Sequence, residues 1–420
     1  MTPVQATLDA VWRLESARIV GALSRLVRDV GLAEELAHDA VVAALSEWPD
    51  KGVPPNPGAW LMTTARHRAI DRLRRDDRLA AKVAVLARDA DDGRADFDAV
   101  LEEDDVRDDV LRLIFMACHP VLPTDSRVAL TLRVVAGLTT AEIARAFVVA
   151  ESTVAQRIVR AKRVLADRRV PFALPPPAER AERLSSVLEV VYLVFNEGYT
   201  ATAGDEWLRP ELIHEALRLG RVLAGLAPDE PEVHGLVALM EIQASRSAAR
   251  VGPSGEPVPL LEQRRGRWDQ LLIRRGFAAL LRAERLGRPP GPYVVQAAIA
   301  ACHARARRAE DTDWRAIAAL YAALRRLTPN PVVELNRAVA VAMADGPEQG
   351  LRIVDAIADH PMLRDYHLLP TVRGDLLARL GRWSEAGAEF ERAALSTGNT
   401  RERGTLLRRA AAAKASARLL

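Results

Sequence analysis

Cysteines, aromatic residues and long apolar runs are all scarce in this 420-residue chain. Its two cysteines, Cys118 and Cys302, lie far apart, which excludes a disulfide framework. Each precedes a histidine, but neither pair has a second ligand pair at metal-site spacing, so we predict buried thiols and no metal or cofactor. No run is long enough to span a membrane, and the N-terminus lacks the apolar core of a signal peptide. We therefore expect a cytoplasmic protein that makes no membrane contact.

The alternating pattern of β-strands is absent as well. Aromatic residues make up 5% of the chain, whereas alanine, leucine and arginine dominate, which favours helix over strand. A chain of 420 residues is too long for one compact domain. The net charge of +3 is small, so the distribution of charge along the chain is more informative than its sum. These features predict an all-α protein with several domains.

Residues 1–80 are predicted to form a small helical module. Apolar residues recur at helical spacing from Leu8 to Val30, Gly31 then interrupts the chain, and residues 33–45 form a second amphipathic helix. The prolines and glycines of residues 48–58 predict an irregular loop. A third helix follows at residues 60–75 and has a basic outer side.

The third helix predicts either a nucleic-acid contact or a solvated basic surface. Leu61, Met62, Ala65, Ala69 and Leu73 project inward. The outward and flanking side chains combine an aromatic ring, hydroxyls and basic groups: Trp60, Thr63, Thr64, Arg66, His67, Arg68, Arg74 and Arg75. Stacking and charge of this kind suit unstacked bases and a strand backbone. A solvated basic helix with Trp60 as a core anchor fits the pattern equally well.

An acidic segment follows the first module. Residues 76–109 contain thirteen Asp and Glu against five Lys and Arg. Such a run repels itself, and we place a flexible linker at residues 81–107. A simple solubilising spacer has the same composition.

Residues 108–170 predict a helix-turn-helix module. Thr139 and Glu142 have the spacing of a capping box at the first helix of the motif. In the second helix, Val154, Ile158, Ala161 and Leu165 share one face. The other side carries polar groups near the helix start and cations farther along: Ser152, Gln156, Arg157, Arg160, Lys162 and Arg163. This arrangement favours a reader of duplex DNA over a generic amphipathic hairpin. Val148 occupies the usual glycine position of the turn, which predicts a reshaped turn.

The remainder of the chain predicts a large helical domain. A proline-rich linker at residues 171–183 precedes continuous helical patterning over residues 184–420. From about residue 313 helix–turn–helix units recur about every 34 residues, the tetratricopeptide period. The segment 196–199 (NEGY) fits either a ligand loop or a helix end capped by Gly198. No nucleophile–base set or phosphate loop is present, so we predict no enzymatic activity.

Taken together, these motifs resemble a bacterial sigma factor of the extracytoplasmic-function (ECF) class, in the group with a large helical C-terminal extension. In the first two modules the resemblance rests on residues 32–41 (LAEELAHDAV), 57–61 (PGAWL) and 64–75 (TARHRAIDRLRR) and on the helix-turn-helix. Farther on, it is carried by residues 195–199 (FNEGY), 215–216 (EA), 228–233 (PDEPEV), 267–269 (RWD), 335–339 (LNRAV) and 345–347 (DGP). It spans nearly the whole chain.

The resemblance implies a role for each motif. Glu34, Glu35 and Asp39 lie in the helix that such factors dock on the polymerase clamp. Residues 48–58 and 60–75 melt and hold the minus-ten element, and Ser152, Gln156, Arg157 and Arg160 read the minus-thirty-five element. The acidic linker threads a positively charged polymerase channel. His67 stands where relatives commonly carry asparagine.

We therefore predict a sigma factor that directs core RNA polymerase to a promoter subset. The expected partners are core RNA polymerase, promoter DNA, and a regulatory protein or ligand at the C-terminal domain, which is expected to regulate the factor in cis. One alternative is a conventional helix-turn-helix transcriptional regulator with a helical sensor domain. A second alternative is a helical enzyme that uses one of the Cys-His pairs.

Overall fold

The computed structural model describes residues 3–84, 103–147, 149–201, 207–253 and 255–418. Helices dominate these ranges, where no strand occurs and the β-structure consists of isolated bridge residues such as the pair Val251 and Pro257, and the all-α prediction is confirmed. No helix within them is both long enough and apolar enough to cross a membrane. The chain divides into two compact units, Met1–Val191 and Tyr192–Leu420.

The first unit contains both predicted DNA-reading modules. Its helices are α1 (Pro3–Val27), α2 (Val30–Lys51), α3 (Pro57–Ala84), α4 (Glu103–Ala117), α5 (Thr124–Val134), α6 (Thr140–Phe147), α7 (Glu151–Asp167) and the first part of α8 (Pro177–Tyr199). In the first module α1, α2 and α3 pack on one another, and in the second α7 packs on α5 and α6. The turn residue Val148 lies outside the described residues.

Two predicted helix boundaries in the first module are wrong. The break between α1 and α2 lies at Arg28 and Asp29, not at Gly31, because the Asp29 side chain accepts a hydrogen bond from the Leu32 N–H at 2.9 Å and starts α2 there. The irregular loop is confined to residues 52–56, because α2 continues to Lys51 and α3 begins at Pro57. A proline at the first position of a helix sacrifices no helical hydrogen bond.

Both ends of the acidic segment are helical, where composition predicts a flexible linker. Residues 81–84 end α3 and residues 103–107 begin α4, while residues 85–102 lie outside the described part of the chain. Asp109 is fully buried, contacting Arg112 at 2.8 Å and Arg25 at 3.3 Å. A Cβ on Gly21 of α1 would lie 3.0 Å from the Asp109 carbonyl oxygen, so α1 and α4 are in close contact. The two modules therefore pack against each other within one unit.

The second unit begins within α8 and is built from sequentially packed helices. These are α9 (Pro210–Leu226), α10 (Pro231–Ala244), α11 (Gln270–Arg285), α12 (Pro292–Arg305), α13 (Trp314–Leu327), α14 (Pro331–Asp345), α15 (Pro347–Ile357), α16 (Leu368–Arg379), α17 (Trp383–Ser396) and α18 (Thr400–Ala417). The pairs α14–α15 and α16–α17 are the two predicted helix–turn–helix units, and both pairs pack together. Leu335, Leu377 and Phe390 belong to the shared core of this region.

Residues 196–199 form the last turn of α8, so the segment is not a loop, and Gly198 lies within the helix just before its final residue. Gly198 is required there for packing, because a Cβ at this position would lie 2.7 Å from the Ile213 backbone nitrogen of α9. Glu197 forms a buried ion pair with Arg209 just before α9. The loop interpretation is therefore wrong. The motif does end a helix, as the alternative predicts, but Gly198 precedes the last helical residue and has no left-handed φ, so it serves the contact with α9 and does not cap the helix.

Two glycines of the second unit allow a test of the contact between α10 and α12. A Cβ on Gly235 would lie 2.6 Å from the Val294 backbone nitrogen, whereas Gly225 is exposed with no neighbour within 4 Å. We expect Gly235→Ala to lower the free energy of unfolding by about 1–3 kcal/mol, because the backbone of α12 must shift. Gly225→Ala should leave that free energy unchanged or raise it by up to about 1 kcal/mol. Urea unfolding followed by circular dichroism measures both, and equal effects would contradict the close α10–α12 contact.

Candidate nucleic-acid interface

The helix-turn-helix module has the local geometry that its sequence predicts. The Glu142 N–H donates to the Thr139 hydroxyl oxygen at 3.1 Å, and the Glu142 carboxylate accepts from the Thr139 N–H at 2.8 Å, which completes the capping box. The four predicted inward residues of α7 are all buried, namely Val154, Ile158, Ala161 and Leu165. Burial of this face fixes which side of α7 points away from the module.

Four of the six predicted DNA-contacting side chains of α7 are exposed: Ser152, Gln156, Arg160 and Arg163. Arg157 is half-buried and forms an ion pair with Asp125 of α5 at 2.7 Å. Lys162 is also half-buried, and its ammonium group pairs with the carboxylate of Glu34 in the first module. The exposed part of α7 therefore offers a hydroxyl, an amide and two guanidinium groups to a partner.

In α3 the predicted inward residues Leu61, Ala65 and Ala69 are fully buried. Trp60 is half-buried, and its ring meets the buried Trp48 ring edge to face, with centroids 5.5 Å apart. This contact holds the Trp60 ring in place while part of the ring remains accessible. Trp60 therefore packs as a core anchor and still presents part of its ring to a nucleic acid, so it combines features of both predicted interpretations.

The other predicted residues of α3 differ in exposure. Thr63, His67, Arg74 and Arg75 are exposed, whereas Thr64, Arg66 and Arg68 are half-buried. Arg68 lies 3.6 Å from the carboxylate of Asp39, so one predicted DNA contact and one predicted polymerase contact form a weak ion pair. The exposed hydroxyl, imidazole and guanidinium groups form a polar strip along α3 that ends in two arginines.

Glu34 is buried where the two modules meet. Its carboxylate lies 2.5 Å from Arg133 Nε of α5 and also pairs with Lys162 of α7. Burial raises the pKa of Glu34, but the Lys162 and Arg133 cations outweigh burial and hold that pKa below its ordinary value. The carboxylate therefore remains charged and bridges three helices. We call this Glu34–Arg133–Lys162 cluster the interdomain clasp.

His38 completes the clasp as a neutral side chain. Its Nδ1–H donates to the Glu34 carbonyl oxygen at 2.8 Å, and its Nε2 accepts from Arg133 at 2.9 Å. Burial lowers the pKa of His38, and the nearby Arg133 and Lys162 cations lower it further. At neutral pH the imidazole thus connects α2 and α5 without adding charge.

Two peripheral contacts strengthen this closed packing. Arg13 of α1 forms an ion pair with Glu142 of α6 at 2.6 Å. Gly137, with a φ of 72°, lies against Ser16 of α1, where a Cβ would come within 2.7 Å of the hydroxyl oxygen. Glu35 is exposed and Asp39 is half-buried, so of the three predicted polymerase contacts Glu34 is the one covered.

The Cys-His pairs lack the features of a catalytic site. Cys118 is buried beside the Thr131 hydroxyl, at an Sγ–Oγ1 distance of 3.3 Å, and burial raises the pKa of its thiol to about 11. Burial lowers the pKa of His119 to about 4. Cys302 is half-buried, and burial raises its thiol pKa as well. The thiolate that a cysteine nucleophile requires is therefore disfavoured at both positions.

Comparison with known proteins agrees with the two modules. The Sigma-70 region 2 family model matches residues 12–79, and the Sigma-70, region 4 model matches residues 112–165. The chain is 30% identical over 153 residues to the ECF RNA polymerase sigma factor SigK of Mycobacterium ulcerans (strain Agy99), covering 35% of this chain and 78% of the relative. The chain belongs to the ECF RNA polymerase sigma factors.

Two further relatives show how far the similarity extends. SigK of Mycolicibacterium vanbaalenii is 32% identical over 136 residues, which cover 30% of this sigma factor and 64% of the relative. An uncharacterized protein of Rhizobium meliloti (strain 1021) is 46% identical over 388 residues, or 91% of each chain. Residues 183–284 match a family of unknown function (DUF6596). No solved structure matches the chain.

We expect the clasp to make a measurable contribution to the packing of the two modules of this sigma factor. Glu34→Gln removes the only charge shared by Arg133 and Lys162 in the clasp, and breaking a buried ion pair in this way costs about 3 kcal/mol. We expect a longer-distance population between dyes attached through Val42→Cys and Val159→Cys, both exposed positions, in a Cys302→Ser background. Single-molecule energy transfer measures this population.

Glu35→Gln is the matched control, because it removes the same charge from the exposed neighbouring position of α2. The control should leave the distance distribution as in the parent protein. An unchanged distribution in Glu34→Gln, or equal changes in both variants, would contradict the role of the clasp.

Proposed function

We propose that this sigma factor directs core RNA polymerase to a subset of promoters and starts transcription there. The exposed residues of α7 read the minus-thirty-five element, and the polar strip of α3 holds the melted minus-ten strand. The observation that carries this proposal is the presence of both exposed faces in one unit that matches both sigma regions. The protein itself performs no covalent chemistry.

The polymerase contact is proposed to begin at Glu35 and Asp39, which are accessible on α2. Glu34 joins them only when Arg133 and Lys162 release its carboxylate. Polymerase and the region 4 module therefore compete for the same charged group. Opening of the clasp is the step at which we expect activity to be controlled.

The second unit is proposed to regulate that step in cis, in place of or in addition to a separate anti-sigma protein, through a partner or a ligand. The Rhizobium meliloti relative shares 91% of its length with this chain, so the extension accompanies the sigma regions there as well. The SigK matches cover only 35% and 30% of this chain. The extension is thus additional to the sigma regions.

Run-off transcription with purified core polymerase on a library of upstream sequences tests initiation. Transcripts should appear only when the protein is added, and Arg74→Ala/Arg75→Ala should reduce their yield at least tenfold, because both exposed cations leave the proposed strand contact. Arg282→Ala/Arg285→Ala is the control, since it removes two exposed arginines from α11 and should retain the yield. Tight duplex binding without any polymerase-dependent transcript would favour the conventional regulator.

A truncated chain tests regulation in cis. Residues 1–191 retain the part of α8 that contacts the second module through Ser186, whose hydroxyl donates to the Cys118 carbonyl oxygen at 2.6 Å. Because the regulatory unit is absent, we expect this chain to give a transcript yield different from that of the full-length protein in the same assay. Equal yields at equal stability, checked by thermal unfolding, would contradict regulation in cis.

A further inference from the structure

The second unit contains a cavity of about 600 Å³ that the initiation function does not use. It lies among α8, α10, α12, α13 and α14, and its volume is typical of sites for small molecules. Part of its lining belongs to the segment that matches the family of unknown function.

Arg246 is the permanent cation of the cavity. The described lining residues include no carboxylate, and no described carboxylate forms an ion pair with this guanidinium. Its Nε atom is buried without a hydrogen-bond partner, and its Cζ atom lies 5.7 Å from the ring centroids of both Tyr199 and Trp268. The two aromatic rings hold the guanidinium in place without neutralising it, and an uncompensated cation in such a site is costly.

The neighbours of Arg246 strengthen the positive potential at this end of the cavity. Arg265 donates to the carbonyl oxygens of His303 and Ala306, the latter at 3.2 Å, and to the Thr312 hydroxyl at 3.1 Å, and the carboxylates of Asp311 and Glu310 act on it only through longer-range electrostatics. His303 lines the cavity, and its Nδ1 has no hydrogen-bond partner. Burial, together with Arg246 and Arg265, lowers the pKa of His303 to about 3, so the imidazole is a neutral hydrogen-bonding group.

The rest of the lining is neutral and mixed in polarity. No described residue hydrogen-bonds the Tyr321 hydroxyl, which burial keeps protonated by raising its pKa to about 12. Tyr192 lies 3.5 Å from the Gln296 side-chain oxygen. Leu239 and Ile299 add apolar wall. One cation, neutral hydrogen-bonding groups and an apolar wall suit a singly charged ligand with an apolar body.

We propose that this cavity binds a small monocarboxylate with an aromatic or branched apolar body, its carboxylate paired with Arg246. A guanidinium matches the two oxygens of a planar carboxylate in a bidentate pair, whereas a phosphate dianion leaves one charge without a partner here. The Tyr321 hydroxyl donates a further hydrogen bond, and the aliphatic residues cover the body of the ligand. Binding of the ligand does not depend on the proposed regulation in cis. An effect of the ligand on transcription initiation does rest on that proposal.

Ligand-observed saturation-transfer NMR on the full-length protein tests the site with defined probes. Phenylacetate and N-acetylphenylalanine carry the proposed charge and body, the first as a free metabolite and the second as the end of a peptide. Phenylacetamide is the neutral analogue, and inorganic phosphate is the competing anion. We expect at least one of the two carboxylates to bind at least about tenfold more tightly than phenylacetamide and phosphate. Their relative affinities distinguish a metabolite from a peptide terminus.

Variants locate the binding. Arg246→Gln should weaken binding of the preferred carboxylate at least about tenfold, and Tyr321→Phe, which retains the ring, about three- to tenfold. Arg275→Gln removes an exposed guanidinium from α11 and should leave binding unchanged. Circular dichroism confirms that each variant is folded, and Tyr321→Phe remains informative where Arg246→Gln is unstable. Carboxylate binding that is absent, matched by phenylacetamide or phosphate, or retained in both site variants would overturn the proposal.

Discussion

The buried ion pairs of the Glu34 carboxylate connect the two modules of the first unit. This carboxylate lies between the guanidinium of Arg133 in α5 and the ammonium group of Lys162 in α7. A single side chain of region 2 therefore contacts two helices of region 4. A charge buried in this way is stable only while its partners remain. The same helix face is proposed to meet polymerase, and if it does, Glu34 cannot hold Arg133 and Lys162 and contact polymerase at the same time. Under that proposal, the free energy needed to open the clasp is the threshold for activity.

The structural features that depend on residues close together in the sequence were predictable. The Thr139–Glu142 cap and the buried face of α7 depend on spacings of three and four residues, and both appear as expected. The clasp was not predictable, because Arg133 and Glu34 are 99 positions apart and nothing near either residue identifies its partner. The burial of Asp109, at the end of an acidic segment, was unpredictable for the same reason. The composition of a segment predicts the average environment of its residues. The burial of one carboxylate within it, such as that of Asp109, depends on a cation that is distant in the sequence.

The second unit shows the same limit in its packing. Its helix–turn–helix units follow from periodicity, whereas the packing role of Gly198 does not, because the approach of α9 has no local signature. The cavity around Arg246 was also missed, since its lining comes from helices spread over more than a hundred residues. In both units, then, contacts between distant segments decide the pairing of the important charged groups, which are Glu34 in the first unit and Arg246 in the second.

The burial of Cys118 has a consequence for how this factor responds to its surroundings. Oxidants and electrophiles act on accessible thiolates, and this sulfur is enclosed and keeps its proton throughout the neutral range. Cys118 is thus poorly suited to react with peroxides or disulfides, and it is the single cysteine of the first unit. The remaining cysteine, Cys302, lies in the second unit, so a thiol-based response would have to begin there.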